Sequence, residues 1–124
     1  MNAAEFRSLV LNEFPELEQD FGEWGDDLLH LQMMEFLAFT QNAVKQRSFD
    51  IVTKCFTIAS AALQDGDNAL KNAVYVSFLK DLDLSSDDGQ QAAEIMPSDL
   101  KVGRDNILDY DRKLLGRKWP TDSR

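Results

Sequence analysis

LLHLQMMEFLAFTQNAVKQRSFDIVTKCFTIASAALQDGDNALKNAVYVSFLKDL, residues 28–82, decides the fold. One glycine, Gly66, and no proline interrupt it. The whole chain holds 16 leucines against 10 valines and isoleucines combined. β-branched residues are the ones enriched in strands, so the stretch reads as helix. Its first part, LLHLQMMEFLAF, is apolar on nearly all sides, which predicts a central helix with neighbours on more than one face. That helix is expected to start near Asp26 or Asp27, whose carboxylates suit a helix N-terminus, and to run to about Arg47. Ser48 is placed to cap the next one. This third helix carries two apolar stripes at helical spacing: Phe49, Val52, Phe56, Ala59 and Leu63 on one, Ile51, Cys55, Ile58 and Ala62 on the other. Asp65-Gly66-Asp67 ends it, and Asp67 caps a fourth helix, about Asn68 to Leu82, with Val74, Tyr75, Phe78, Leu79 and Leu82 on one broad apolar face. Short connections near residues 48 and 66 predict that helices two, three and four pack antiparallel.

The flanks read the same way. Asn2, with Glu5 three residues on, forms a capping-box pattern for a helix from about Ala3 to Phe14, which Pro15 limits. Residues 16–25 read as a polar loop. Residues 83–89 read as an acidic turn, followed by a short helix to about Met96. Pro97 and Ser98 open a last helix, in which Leu100, Gly103, Ile107, Tyr110 and Leu114 repeat at helical spacing and which Gly116 is expected to end. No convincing internal repeat is present. The expectation is an all-α single domain of five to six helices, an antiparallel bundle over residues 1–116, with a basic C-terminal tail at 117–124.

At 124 residues the chain is long enough for one core: chains of this size bury about two thirds of their unfolded surface. Twenty-two acids against thirteen bases leave a formal charge of −9. That balance argues against a nucleic-acid or anionic-membrane partner, because phosphate contacts need lysine and arginine. It favours a cationic one. The single cysteine, Cys55, excludes an internal disulfide and a multi-cysteine zinc site. No basic leader precedes an apolar run at the N-terminus, and no run of 18 apolar residues occurs, so a cytoplasmic location is expected.

Few residues suggest chemistry. His30 is the sole histidine and, with Asp27, makes a carboxylate-x-x-His pair. A di-iron bundle needs a second such motif, so His30 reads as structural. Cys55 sits in an apolar stripe and reads as a core residue rather than a nucleophile. Asp83, Ser85, Asp87 and Glu94 fall at calcium-loop positions, but Gly89 is one place late and Gln90 replaces the apolar residue, so an acidic turn is the better reading. No glycine-rich phosphate loop, nucleophile elbow or zinc-binding helix signature is present. The chain is expected not to be an enzyme, with no catalytic residues, no cofactor and no metal.

Charge distribution says more. Seven acids and no base lie between Glu13 and Asp27, and Asp81, Asp83, Asp87 and Asp88 form a second base-free run. Arg112, Lys113, Arg117 and Lys118 cluster near the other end. A solvated surface that keeps the protein soluble is the plain reading of either acidic run alone; a docking face for a basic protein is the sharper one.

PEL at 15–17, LLHLQMMEFLAFTQNAV at 28–44, CFTIASAALQDGDNALKNAVYVSFLKDL at 55–82, MPSDL at 96–100 and the later Ile107 and Tyr110 resemble a family of small all-helical bacterial proteins of uncharacterised function. Its members look like immunity proteins of polymorphic-toxin systems, including contact-dependent growth inhibition. The likeness spans about residues 13–116, and its most distinctive run is NAVYVSFL at 72–79. It brings no catalytic residue with it. It implies a cytoplasmic antitoxin that binds the C-terminal domain of one cognate toxin, often a nuclease, and occludes a basic surface. Glu16, Glu18, Asp20, Glu23, Asp26 and Asp27 are then the expected charged ring and Trp24 the expected anchor. The alternative is a non-enzymatic helical adaptor or self-associating scaffold. The oligomeric state is left open at this stage.

Overall fold

The computed structural model describes residues 1–21 and 28–118, with side chains at all of these except residue 20 and residues 115–118. The described residues are helical apart from short turns, and none is in a strand. The order is α1 (Ala3–Glu13), a 3-10 turn (Pro15–Leu17), α2 (Glu18–Phe21), α3 (Leu29–Lys45), α4 (Phe49–Asp65), α5 (Asn68–Val74) running into a π-helical turn (Tyr75–Leu79), α6 (Asp87–Glu94) and α7 (Ser98–Lys118). It is the expected single small all-α domain.

Two of the three expected caps form, and a cap that was not expected appears at Ser86. Asn2 accepts from the Glu5 N–H at 2.8 Å while Glu5 accepts from the Asn2 N–H at 3.0 Å, completing the capping box. Asp67 accepts from the Leu70 N–H at 2.9 Å. Ser86 accepts from the Gly89 N–H at 3.0 Å, so α6 starts two residues before the glycine that was read as its boundary. Ser48 makes no side-chain cap. The α3–α4 turn instead bends through Arg47, a non-glycine residue at φ 59°.

Leu29, Met33, Phe36, Ala43 and Val44 of α3 enter the core. The Phe36 ring meets Phe6 edge-on at 5.7 Å and stacks on Phe78 at 5.4 Å, so one side chain joins α1, α3 and the π-turn. Phe14 packs on Phe39 at 4.7 Å. α3 also touches α2, α4, α5 and α6. The expectation of a central helix with neighbours on more than one face holds, and one face stays open: Leu31 is 43% exposed and Met34 52%.

Gly103 explains how closely α7 lies on the bundle. A Cβ there would sit 3.2 Å from both Leu79 and Tyr75 and 3.4 Å from Leu63. α7 does not stop at Gly116 but continues to Lys118. A glycine costs a helix interior about 1 kcal/mol, so its presence did not by itself end the helix. The basic tail expected from residue 117 therefore begins inside a helix.

Candidate functional site

The outward surface of α3 is the most distinctive feature of the described chain. Helical residues step about 100° apart, which places Leu31, Met34 and Ala38 along one face. All three are exposed, and Leu28 before them is also exposed. The two flanks of this ridge are defined by contacts. On one flank Phe39 meets Phe14, at the head of the Pro15–Leu17 turn, and α2 packs on α3. On the other, His30 Nδ1 lies 2.7 Å from Ser77 Oγ, and Gln41 brackets Asp83. The Gln41 amide donates to the Asp83 carbonyl at 3.1 Å, and its oxygen accepts from the Asp83 N–H. Phe39 and Gln41 are about 160° apart around the helix, so the apolar ridge lies in the arc between the two flanks, with Asn42 and Glu35 between it and Phe39.

Described members of both acidic runs lie on the elements that form those flanks. Glu16 and Glu18 are exposed on the Pro15–Leu17 turn and α2. Asp83, Asp87 and Asp88 belong to the turn and helix on the Gln41 side. There a shallow concavity is lined by Ala38, Gln41, Asn42, Lys45, Asp83 and Asp88. Arg47 pairs with Asp88, contacts Gln91 at 3.3 Å and lies 5.8 Å over the Phe49 ring, tying α6 to the α3–α4 turn. Glu13 is paired with Lys54 at 3.0 Å. The ridge is thus an apolar strip with carboxylates on both sides, and Lys45 is its main opposing charge.

The predicted partner-binding residues divide accordingly. Glu16 and Glu18 are exposed beside α3, and Asp20 lies in α2. Glu23, Trp24, Asp26 and Asp27 fall outside the described residues. Sequence reasoning missed Leu31 and Met34 as surface residues. The only signal was the all-round apolarity of this stretch, which does not say which face stays open.

The candidate chemical groups are built into structure. Cys55 is fully buried, and loss of solvent pushes its thiol up to about 11, against a smaller opposite effect of the Thr40 hydroxyl. A thiolate is therefore not available near neutral pH. Asp83 turns back on its own loop: its Oδ1 accepts from the Ser85 hydroxyl at 2.6 Å and the Ser85 N–H at 3.0 Å, which holds its carboxyl below the usual range. The former calcium-loop likeness is the acidic turn leading into α6. No group of three or more histidine, cysteine or carboxylate side chains among the described residues is arranged to hold a metal. No helix among them is long and apolar enough to cross a membrane.

Residues 7–109 match the model of a family described as a domain of unknown function, DUF7674, and the chain belongs to that family. No curated protein and no solved structure matches the chain.

Proposed function

We propose that this chain is a non-enzymatic binding protein that presents the α3 ridge to a basic protein surface. The observation that carries the reading is the juxtaposition on α3: exposed Leu31 and Met34 between two carboxylate-bearing flanks. Protein interfaces commonly combine central apolar anchors with a charged rim that speeds encounter and rejects wrong partners. The resemblance to immunity proteins names the partner class: the C-terminal domain of a bacterial toxin, of the nuclease kind, met in the cytoplasm and neutralised by covering its cationic substrate-binding surface. The acids Glu16, Glu18 and Asp20, with Glu23, Asp26 and Asp27, supply the rim in this reading, and Trp24 a further anchor.

The test is co-expression with the toxic C-terminal domain encoded immediately upstream, scored by growth and co-purification. Rescue with a stable complex is expected for the native chain. Loss of rescue is expected for Leu31→Asp with Met34→Asp, while the far-ultraviolet spectrum stays helical. Slower association, with the fold kept, is expected when Glu16, Glu18, Asp20 and Glu23 become lysine. No protection by the native chain would favour the adaptor or scaffold reading instead. Protection that survives the Leu31/Met34 substitutions would remove the ridge from the interface.

A further inference from the structure

α7 carries a second uncovered surface with a different character. Asp99, Val102, Asn106, Tyr110 and Lys113 lie along one face. Val102 is 57% exposed and Tyr110 62%, and Asn106 and Lys113 are exposed as well. Two adjoining hollows run along this face. One is lined by Leu63, Gln64, Tyr75, Asp99, Val102 and Gly103, the other by Tyr75, Ile107 and Tyr110, and Asn106 belongs to both. Asp99 is held in place by the Ser60 hydroxyl at 2.7 Å and the Gln64 amide at 3.2 Å. Lys113 reaches Asp109 on its own helix at 3.0 Å.

The order of these residues is symmetric about Asn106. Val102 precedes it by four positions and Tyr110 follows it by four; Asp99 precedes it by seven and Lys113 follows it by seven. A two-fold interface requires that residue i meet residue j and that j meet i. An antiparallel pair of α7 helices crossing at Asn106 meets that requirement. It sets Val102 against Tyr110, Asp99 against Lys113, and the two Asn106 amides, each both donor and acceptor, against each other. A lone asparagine at such a position fixes register.

Charge selects the occupant. The part of α7 that bears this face, residues 98–114, contains four bases and four acids, a net of zero, while the residues outside α7 carry −11. Two such bodies repel through most faces, and α7 is where they approach without that penalty. We infer that the chain pairs with a second copy of itself through α7, antiparallel and centred on Asn106, each Tyr110 ring entering the hollow beside the other copy's Val102.

The experiment uses the full chain. Sedimentation equilibrium from about 5 to about 500 μM is expected to show a monomer–dimer equilibrium. Val102→Asp, an exposed position, is expected to weaken dimerisation at least about tenfold by facing an unpaired carboxylate to an aromatic ring, with an unchanged helical spectrum. Register is read separately. Asn106→Cys is expected to give a covalent dimer on mild oxidation, because the two thiols meet at the crossing point, while Cys55 is buried and does not compete. Lys101→Cys, about 140° round the helix from Asn106, is expected to remain monomeric under the same conditions. A native chain that is monomeric throughout the range overturns the inference. So does equal cross-linking at positions 101 and 106, or a dimer indifferent to Val102→Asp.

Discussion

Met33 and Met34 are adjacent on α3 and chemically identical, yet Met33 is 0% exposed and Met34 52%. Truncating a fully buried methionine to alanine removes its transfer free energy and leaves a cavity, which together cost about 3 kcal/mol. Burying a whole methionine side chain is worth about 1.5–3 kcal/mol, so the half of Met34 already withdrawn from water is worth about 1 kcal/mol. The slightly better helix propensity of alanine offsets a few tenths of that. For 124 residues the unfolding entropy is about 0.26 kcal/mol/K, so 1 kcal/mol moves Tm by about 4 °C. Met33→Ala is expected to lower Tm by about 12 °C and Met34→Ala by about 4 °C or less, followed by far-ultraviolet circular dichroism. Total stability in this size class is about 5–15 kcal/mol, so both variants remain folded at room temperature. Equal losses would mean that α3 is enclosed on both sides, and the ridge argument would fall with that result.

Arg47 gives a backbone test. Its left-handed conformation costs about 1 kcal/mol for a non-glycine residue, while its exposed contacts with Asp88 and Gln91 are worth about 1 kcal/mol or less. Arg47→Gly is therefore expected to be near neutral and Arg47→Ala about 1 kcal/mol destabilising in urea unfolding; the reverse order would contradict the turn geometry. At Gly89 a Cβ would sit 2.6 Å from the Leu84 backbone, which has no side-chain freedom with which to yield. Gly89→Ala should cost about 1–3 kcal/mol despite its gain in helix propensity, and a stabilised variant would show that α6 is free to shift. Burial raises the Asp99 carboxyl, but hydrogen bonds from Ser60, Gln64 and backbone N–H groups outweigh it and leave the value below normal. A depressed folded-state value stabilises the protein above the unfolded value of about 3.9, and the contribution is lost as pH falls through the folded value. The stability gap between the native chain and Asp99→Asn should accordingly narrow in acid; a gap constant from neutral pH to below 3 would remove Asp99 from the acid response.

The fold was legible because its signals are local. Asn2 with Glu5, and Asp67 with the Leu70 amide, are caps formed within one turn, and residue types at those spacings announce them. The misreadings share a different cause: each depends on what lies across space. Ser48 is a good cap residue, but the chain reaches α4 through a left-handed Arg47 and leaves its hydroxyl out of the cap. Gly89 looked like a boundary because glycine weakens helices; the close Leu84 backbone, three-dimensional information, is what calls for it inside α6. The acidic runs were visible as composition, but that their described members Glu16 and Glu18 lie in elements on one flank of α3 and Asp83 and Asp88 on the other follows from Phe14 meeting Phe39 and Gln41 meeting Asp83. No periodicity within one segment carries those pairings.

The two proposed surfaces make separable demands. The α3 ridge is apolar with acids beside it, so its partner supplies positive charge, and added salt should slow the encounter. The α7 face is close to neutral and symmetric, so association through it depends on Val102 and Tyr110 more than on long-range attraction. Raising salt screens the −11 of the remaining body and should strengthen pairing through α7 even as it weakens capture of a basic partner. Opposite salt responses of self-association and partner binding in one protein follow from where this chain puts its charges. A shared response would mean that both events use the same face. Met34→Asp and Val102→Asp then decide which face it is, since each substitution sits on one helix and leaves the other intact.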